Sequence, residues 1–164
     1  MLTSKTRIST KIQNSQITHN DLVFYKKYSD YTLKSINKNK FQRFIKYVLK
    51  KEKIPENKIN QINIRTFPFR NQKGQWVIGK CSHKGEIKIF PKNRILCLKI
   101  ASKFGKETLF SYIKNRGMAA LIHELLHIKY EKNEQKVRKL TKKYFKKYNE
   151  DSIPYSADRF LFFN

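Results

Sequence analysis

Apolar positions change their period twice along the chain, and the changes divide it into three stretches. From Asp30 to Lys53 they recur at spacings of three and four, with Phe41, Phe44, Ile45, Val48 and Leu49 on one side, which predicts an amphipathic helix stopped by Pro55. Ile62, Ile64 and Thr66 then alternate with polar residues up to Pro68, as in a half-buried strand. Gln72 to Gln75 is a turn signal, Trp76 to Cys81 reads as a second strand, and Lys84-Gly85 is a second turn. Ile87 and Ile89 mark a third strand that ends at Pro91. Connections this short predict an antiparallel meander.

The remainder is helical. Leu96 to Phe104 forms a short helix before Gly105, and a longer one runs from Lys106 to Tyr130. Polar Glu131, Lys132 and Asn133 interrupt it, and a last amphipathic helix runs from Glu134 to Tyr148. Residues 1–20, polar and without periodicity, are expected to be a basic arm outside the core. Residues 21–150 are expected to be a single domain, and 151–164 an aromatic tail carrying Tyr155, Phe160, Phe162 and Phe163. That tail either closes the core as a final strand or lies in a cleft, with Asp158 at an open metal position. The fold class that follows is α+β, a three- to four-stranded sheet packed on the two C-terminal helices.

The long helix carries the candidate chemistry. Residues 121–128 read Leu-Ile-His-Glu-Leu-Leu-His-Ile. Side chains four apart share one helix face, so His123 and His127 can aim two imidazoles at one ion. Glu124 stands about 100° round from His123, beside the ion and placed to take a proton from water that zinc acidifies. Met118, Ala119, Leu121, Ile122, Leu125, Leu126 and Ile128 make this helix apolar nearly all round. A buried helix cannot leave two histidines and a glutamate unsatisfied without cost, and a single Zn2+ ion would satisfy them.

A catalytic zinc takes three protein ligands, and Glu131, Glu134 and His83 are the candidates for the third. Val137, Thr141, Tyr144, Phe145 and Tyr148 share the side of Glu134 on the last helix, whereas its lysines fall opposite. Glu134 is thus an acid on an apolar face, and the polar break at 130–133, with Asn133 as N-cap, lets that helix fold back towards His127. Glu134 is favoured, with Glu131 the alternative.

Charge widens the set of partners. The 37 Lys+Arg against 12 Asp+Glu give a formal +25, a field that attracts polyanions, nucleic acid first and an anionic membrane surface second. Lys136, Lys139, Lys142, Lys143, Lys146 and Lys147 form one basic helical face that could follow phosphates. Cys81 and Cys97 are too few for a disulfide framework and are expected as reduced thiols, and Cys81-Ser82-His83 is a weak metal pair. Met1 to Asn20 lacks a signal-like apolar stretch and no run suffices to span a bilayer, so a cytoplasmic protein is expected.

His123-Glu124-Leu125-Leu126-His127 resembles the zinc helix of the zincin metallopeptidases, and Asn133-Glu134 resembles the start of the glutamate-bearing helix of the gluzincin branch. Gly85 to Pro91 is similar to the edge strand that lines the substrate in small members. The likeness spans Gln61 to Tyr148. It departs in the spacer, since only six residues separate His127 from Glu134 where gluzincins have a much longer segment. The Gly-rich third-histidine motif of metzincins is missing. The resemblance implies a zincin-like fold and zinc-dependent peptide hydrolysis with Glu124 as general base and His123, His127 and Glu134 on the metal. It further implies an oxyanion helper, for which His83, Tyr144 and Tyr148 are candidates. A specialised form would act on proteins held on DNA, as SprT-like proteases do. The competing expectation is a non-catalytic, metal-stabilised nucleic-acid-binding or regulatory module.

Overall fold

A computed structural model describes residues 2–10 and 17–149; expectations for the tail from Pro154, Asp158 included, lie outside these residues. The fold is α+β, with five helices, a four-stranded mixed sheet and a separate two-stranded antiparallel pair among the described residues.

The sheet holds β1 (Thr6–Ser9), β2 (Gln61–Arg65), β6 (Glu86–Ile89) and β5 (Gly79–Cys81), in the order β1-β2-β6-β5. Both β1–β2 and β2–β6 are parallel, and only β5–β6 is antiparallel. The expected meander is therefore corrected. β2 and the Trp76 region do not form a hairpin, because β3 (Phe69–Arg70) and β4 (Trp76–Val77) pair with each other instead. Gly85 takes a positive φ of 74° at the β5–β6 turn, where a Cβ would meet the Lys58 carbonyl at 1.8 Å. That close approach seats the turn against the loop leading into β2, where Asn60 N–H donates to the Gly85 carbonyl at 3.0 Å. β2 and β6 thereby come alongside in the same direction.

The segment expected to be an arm contributes structure at its start. Leu2–Lys5 is a 3-10 turn with Leu2 fully buried, and β1 continues the sheet in register Ile8↔Ile64. Lys5 Nζ donates to the Glu56 and Ile59 carbonyls and fixes the entry. The first helix is also two helices. α1 (His19–Ile36) starts earlier than Asp30, N-capped by Thr18, and the chain breaks at Asn37–Lys38 before α2 (Asn39–Glu52). Much of α1's buried face is hydroxylic. Ser29, Thr32 and Ser35 are buried and donate to the carbonyls four residues back, which hides the face from an apolar periodicity. Small residues there allow a tight crossing on α4, where a Cβ at Gly117 would lie 2.6 Å from Thr32 Cγ2.

One side of the sheet presents Ile62, Ile64, Ile87 and Ile89, all at most 3% exposed, to the helices. The other side carries Asn63, Glu86 and Lys88, joined by an Asn63–Glu86 hydrogen bond of 2.9 Å and a Glu86–Lys88 ion pair of 3.3 Å. α3 (Arg94–Phe104) and α4 (Lys106–Tyr130) lie where expected, as does α5 (Glu134–Tyr148). α4 is the central helix, contacting α1, α2, α3, α5, β5 and β6. Leu121, Ile122, Leu125 and Leu126 on it are fully buried. At roughly 1.5–3 kcal/mol for each such side chain, this stretch anchors the core that holds the site.

Candidate metal centre

The polar break after α4 is a sharp reversal. Glu131 takes φ 44° and ψ −113°, its N–H donating to the His127 carbonyl. Asn133 caps α5 by accepting from Lys136 N–H at 3.1 Å. α5 then runs back along α4, which brings Glu134 beside His127 and Thr141 beside His123. Val137, Thr141, Tyr144 and Phe145 are buried as their face required, and the lysine face is exposed.

A buried acid absent from the candidate list secures this turn. Glu52, at the end of α2, accepts hydrogen bonds from Tyr130 Oη at 2.6 Å and from Tyr144 Oη. Lys129 Nζ lies 3.7 Å from its carboxylate and donates to its backbone carbonyl at 2.6 Å. Burial works to raise the Glu52 carboxyl, but the two hydroxyls and Lys129 outweigh it and hold the group below its ordinary value. The signal available in sequence was faint, an acid one turn beyond Val48 and Leu49 on an apolar face. Tyr144 is committed to this network and Tyr148 to an aromatic cluster with Phe41 and Phe44. Of the three oxyanion candidates, only His83 lines the cleft.

His123 Nε2 and His127 Nε2 are 3.1 Å apart, His127 Nε2 is 3.2 Å from Glu134 Oε2, and His123 Nε2 is 3.5 Å from Glu134 Oε1. Ligand atoms on a tetrahedral zinc, with bonds near 2.0–2.1 Å, stand about 3.3 Å from one another. The donor set fits such an ion. Each outer nitrogen is held as well: His127 Nδ1 faces the Glu131 carbonyl, and His123 Nδ1 lies 3.4 Å from Thr141 Oγ1, whose own proton goes to the Val137 carbonyl. Hydrogen bonding therefore assigns Nδ1–H to both rings and leaves both Nε2 lone pairs converging. Burial, with the neighbouring His127 and Arg138 opposing Glu134, pushes His123 down to about 4, so its ring is neutral at pH 7. Two facing lone pairs and a carboxylate call for a cation between them.

Glu134 is the third member of the only group of three or more metal-capable residues among the described residues, and its side chain keeps 44% exposure. Burial would raise its carboxyl, but Arg138, donating from Nε at 2.6 Å, and the two histidines hold it low. Glu131 is exposed and contributes its backbone, and neither its side chain nor His83 joins the group. Cys81 and Cys97 are free thiols, both pushed up to about 11, by burial first.

Glu124 is 5% exposed and lies beneath β5. The β5–β6 register turns Gly79 and Cys81 to the α4 side with Ile89 and Ile87, and a Cβ at Gly79 would be 2.5 Å from Glu124 Oε1. Only glycine admits that approach. Burial, together with the Glu134 charge, raises the Glu124 carboxyl to about 8 against a hydrogen bond from the Cys81 backbone. A divalent ion on the adjacent donors would favour the carboxylate form. These groups line a cleft of ≈ 1110 Å³ roofed by residues 77–85. β5, not the Gly85–Pro91 strand, is the sheet edge at this cleft, because β6 is interior. Comparison with protein-family models, with curated proteins and with solved structures returns no match for the chain.

Proposed function

We propose that the chain is a small zinc-dependent endopeptidase of zincin type, with His123, His127 and Glu134 on one Zn2+ ion and Glu124 as general base. The observation that supports this most is the convergence of two imidazole Nε2 atoms and a carboxylate at tetrahedral-edge distances, beside a separate buried carboxyl group. A zinc ion held by these three residues would polarise the scissile carbonyl and acidify a water towards neutrality. Glu124 would accept the water proton and pass it to the departing amine. The free edge of β5 would take an extended peptide as an added strand across the cleft. His83 is the group available to help an oxyanion.

The test is Glu124→Gln. It should abolish hydrolysis of a casein-type substrate while one zinc per chain is still bound. Unchanged hydrolysis would remove the base from Glu124, and hydrolysis by neither protein would favour the second reading, a non-catalytic metal-stabilised module that binds nucleic acid. What supports that second reading is the exposed row Lys136, Lys139, Lys142, Lys143, Lys146 and Lys147 on α5 and the formal +25. The same row would let a peptidase work on DNA-held proteins. DNA affinity through it should fall steeply with rising salt, and a flat response would remove the idea. No helix among the described residues is long and apolar enough to cross a membrane.

A further inference from the structure

Arg116 is 5% exposed, lines the same cleft as His123 and Glu124, and its Nε has no hydrogen-bond partner. Among the described residues no carboxylate pairs with it; its side-chain contact is the Tyr112 hydroxyl. The guanidinium stays charged, so this is a buried cation without a counter-ion. A buried guanidinium with an open cleft on one side is a place for an anion.

Position says which anion. Arg116 and His123 are seven residues apart on α4, hence on one side of the helix and about 10 Å apart along it. An extended chain covers that distance in about three residues. We infer that Arg116 is an anion subsite that takes a carboxylate of the bound peptide about three residues from the metal centre. This rests on the peptidase reading above. The carboxylate could be an acidic side chain or a chain terminus, and both present the same planar pair of oxygens to the guanidinium fork.

The experiment uses zinc-loaded full-length protein and peptides differing in a single group. One pair carries Glu or Gln two to four residues either side of a cleavable bond, with amidated ends; another carries Gln with a free or amidated C-terminus. Wild type should prefer the carboxylate in one pair by roughly 10- to 100-fold in KM, and Arg116→Met should erase that preference. Lys26→Met, an exposed control on α1 that removes the same charge, should leave it intact, because one charge in 25 barely alters non-specific attraction. If the methionine variant does not fold, Arg116→Lys should weaken the preference without abolishing it. Equal cleavage of all peptides, or a preference that survives Arg116→Met, overturns the subsite and leaves the peptidase standing. If nothing is cleaved, binding of the same peptides to Glu124→Gln decides. Carboxylate-selective binding lost in the Arg116→Met background keeps the subsite, and unselective binding overturns it.

Discussion

Replacing Gly79 with alanine tests the contact that seats Glu124. The added methyl would sit 2.5 Å from Glu124 Oε1, 2.7 Å from Cγ and 2.9 Å from Cδ, whereas ordinary contact begins near 3.4 Å. Either β5 or the Glu124 side chain must retreat by about 1 Å, an overpacking that costs roughly 1–3 kcal/mol in a filled core. Alanine returns a few tenths to 1 kcal/mol by restricting the unfolded chain, so the net loss expected is about 1–2 kcal/mol. Urea unfolding followed by circular dichroism measures it. The same displacement should lower hydrolysis by about 100-fold, since a misplacement near 1 Å is worth that much. Zinc affinity should hold, because Gly79 touches none of the three donors. A double-mutant cycle sharpens the result: in a Glu124→Ala background the methyl has room, and the destabilisation should disappear, giving a coupling of about 1–2 kcal/mol. A Gly79→Ala variant as stable as wild type, with additive effects in the cycle, would refute the seating of Glu124 under β5.

Three further outcomes follow from the same geometry. Glu52→Gln should cost roughly 1–3 kcal/mol in thermal or urea unfolding, because the buried Tyr144 hydroxyl, the part-buried Tyr130 hydroxyl and Lys129 lose their anion. Since the folded Glu52 carboxyl lies below its ordinary 4.5, its contribution is present above that pH and lost as pH falls through the folded value. The wild-type advantage over Glu52→Gln should therefore shrink in acid, and an advantage independent of pH would contradict the assignment. Thr141→Val removes the acceptor facing His123 Nδ1 and should weaken zinc binding by about 10- to 100-fold in a chelator competition, with little change in fold.

The parts of the fold legible in sequence were those whose period is long or whose chemistry is local. α4 and α5 were read to the residue because an all-round apolar helix, a three-residue polar break and a capping asparagine leave few alternatives. Glu134 could be picked out because it alone was acidic on the apolar face of α5. β1 was invisible, with only Ile8 apolar in four residues and its parallel partner more than fifty residues away. α1 was shortened because serines and threonines, not aliphatic residues, fill much of its buried face. Strand order is hidden for a related reason. Short connections suggest hairpins, but register depends on where Gly85 docks, and that partner, the Lys58 carbonyl, is a backbone atom. Glu52 and Arg116 carry little signal in the sequence because each gains meaning only from residues distant in the chain.

Zinc content sets the central assignment directly at risk. Purified full-length protein, dialysed against trace zinc and measured by atomic emission, should hold one ion per chain. Glu134→Ala should stay folded and lose at least about 100-fold in zinc affinity, while Glu131→Ala, whose side chain lies outside the donor group, should bind as wild type does. Undiminished zinc in Glu134→Ala, or a loss confined to Glu131→Ala, would contradict the His123–His127–Glu134 centre.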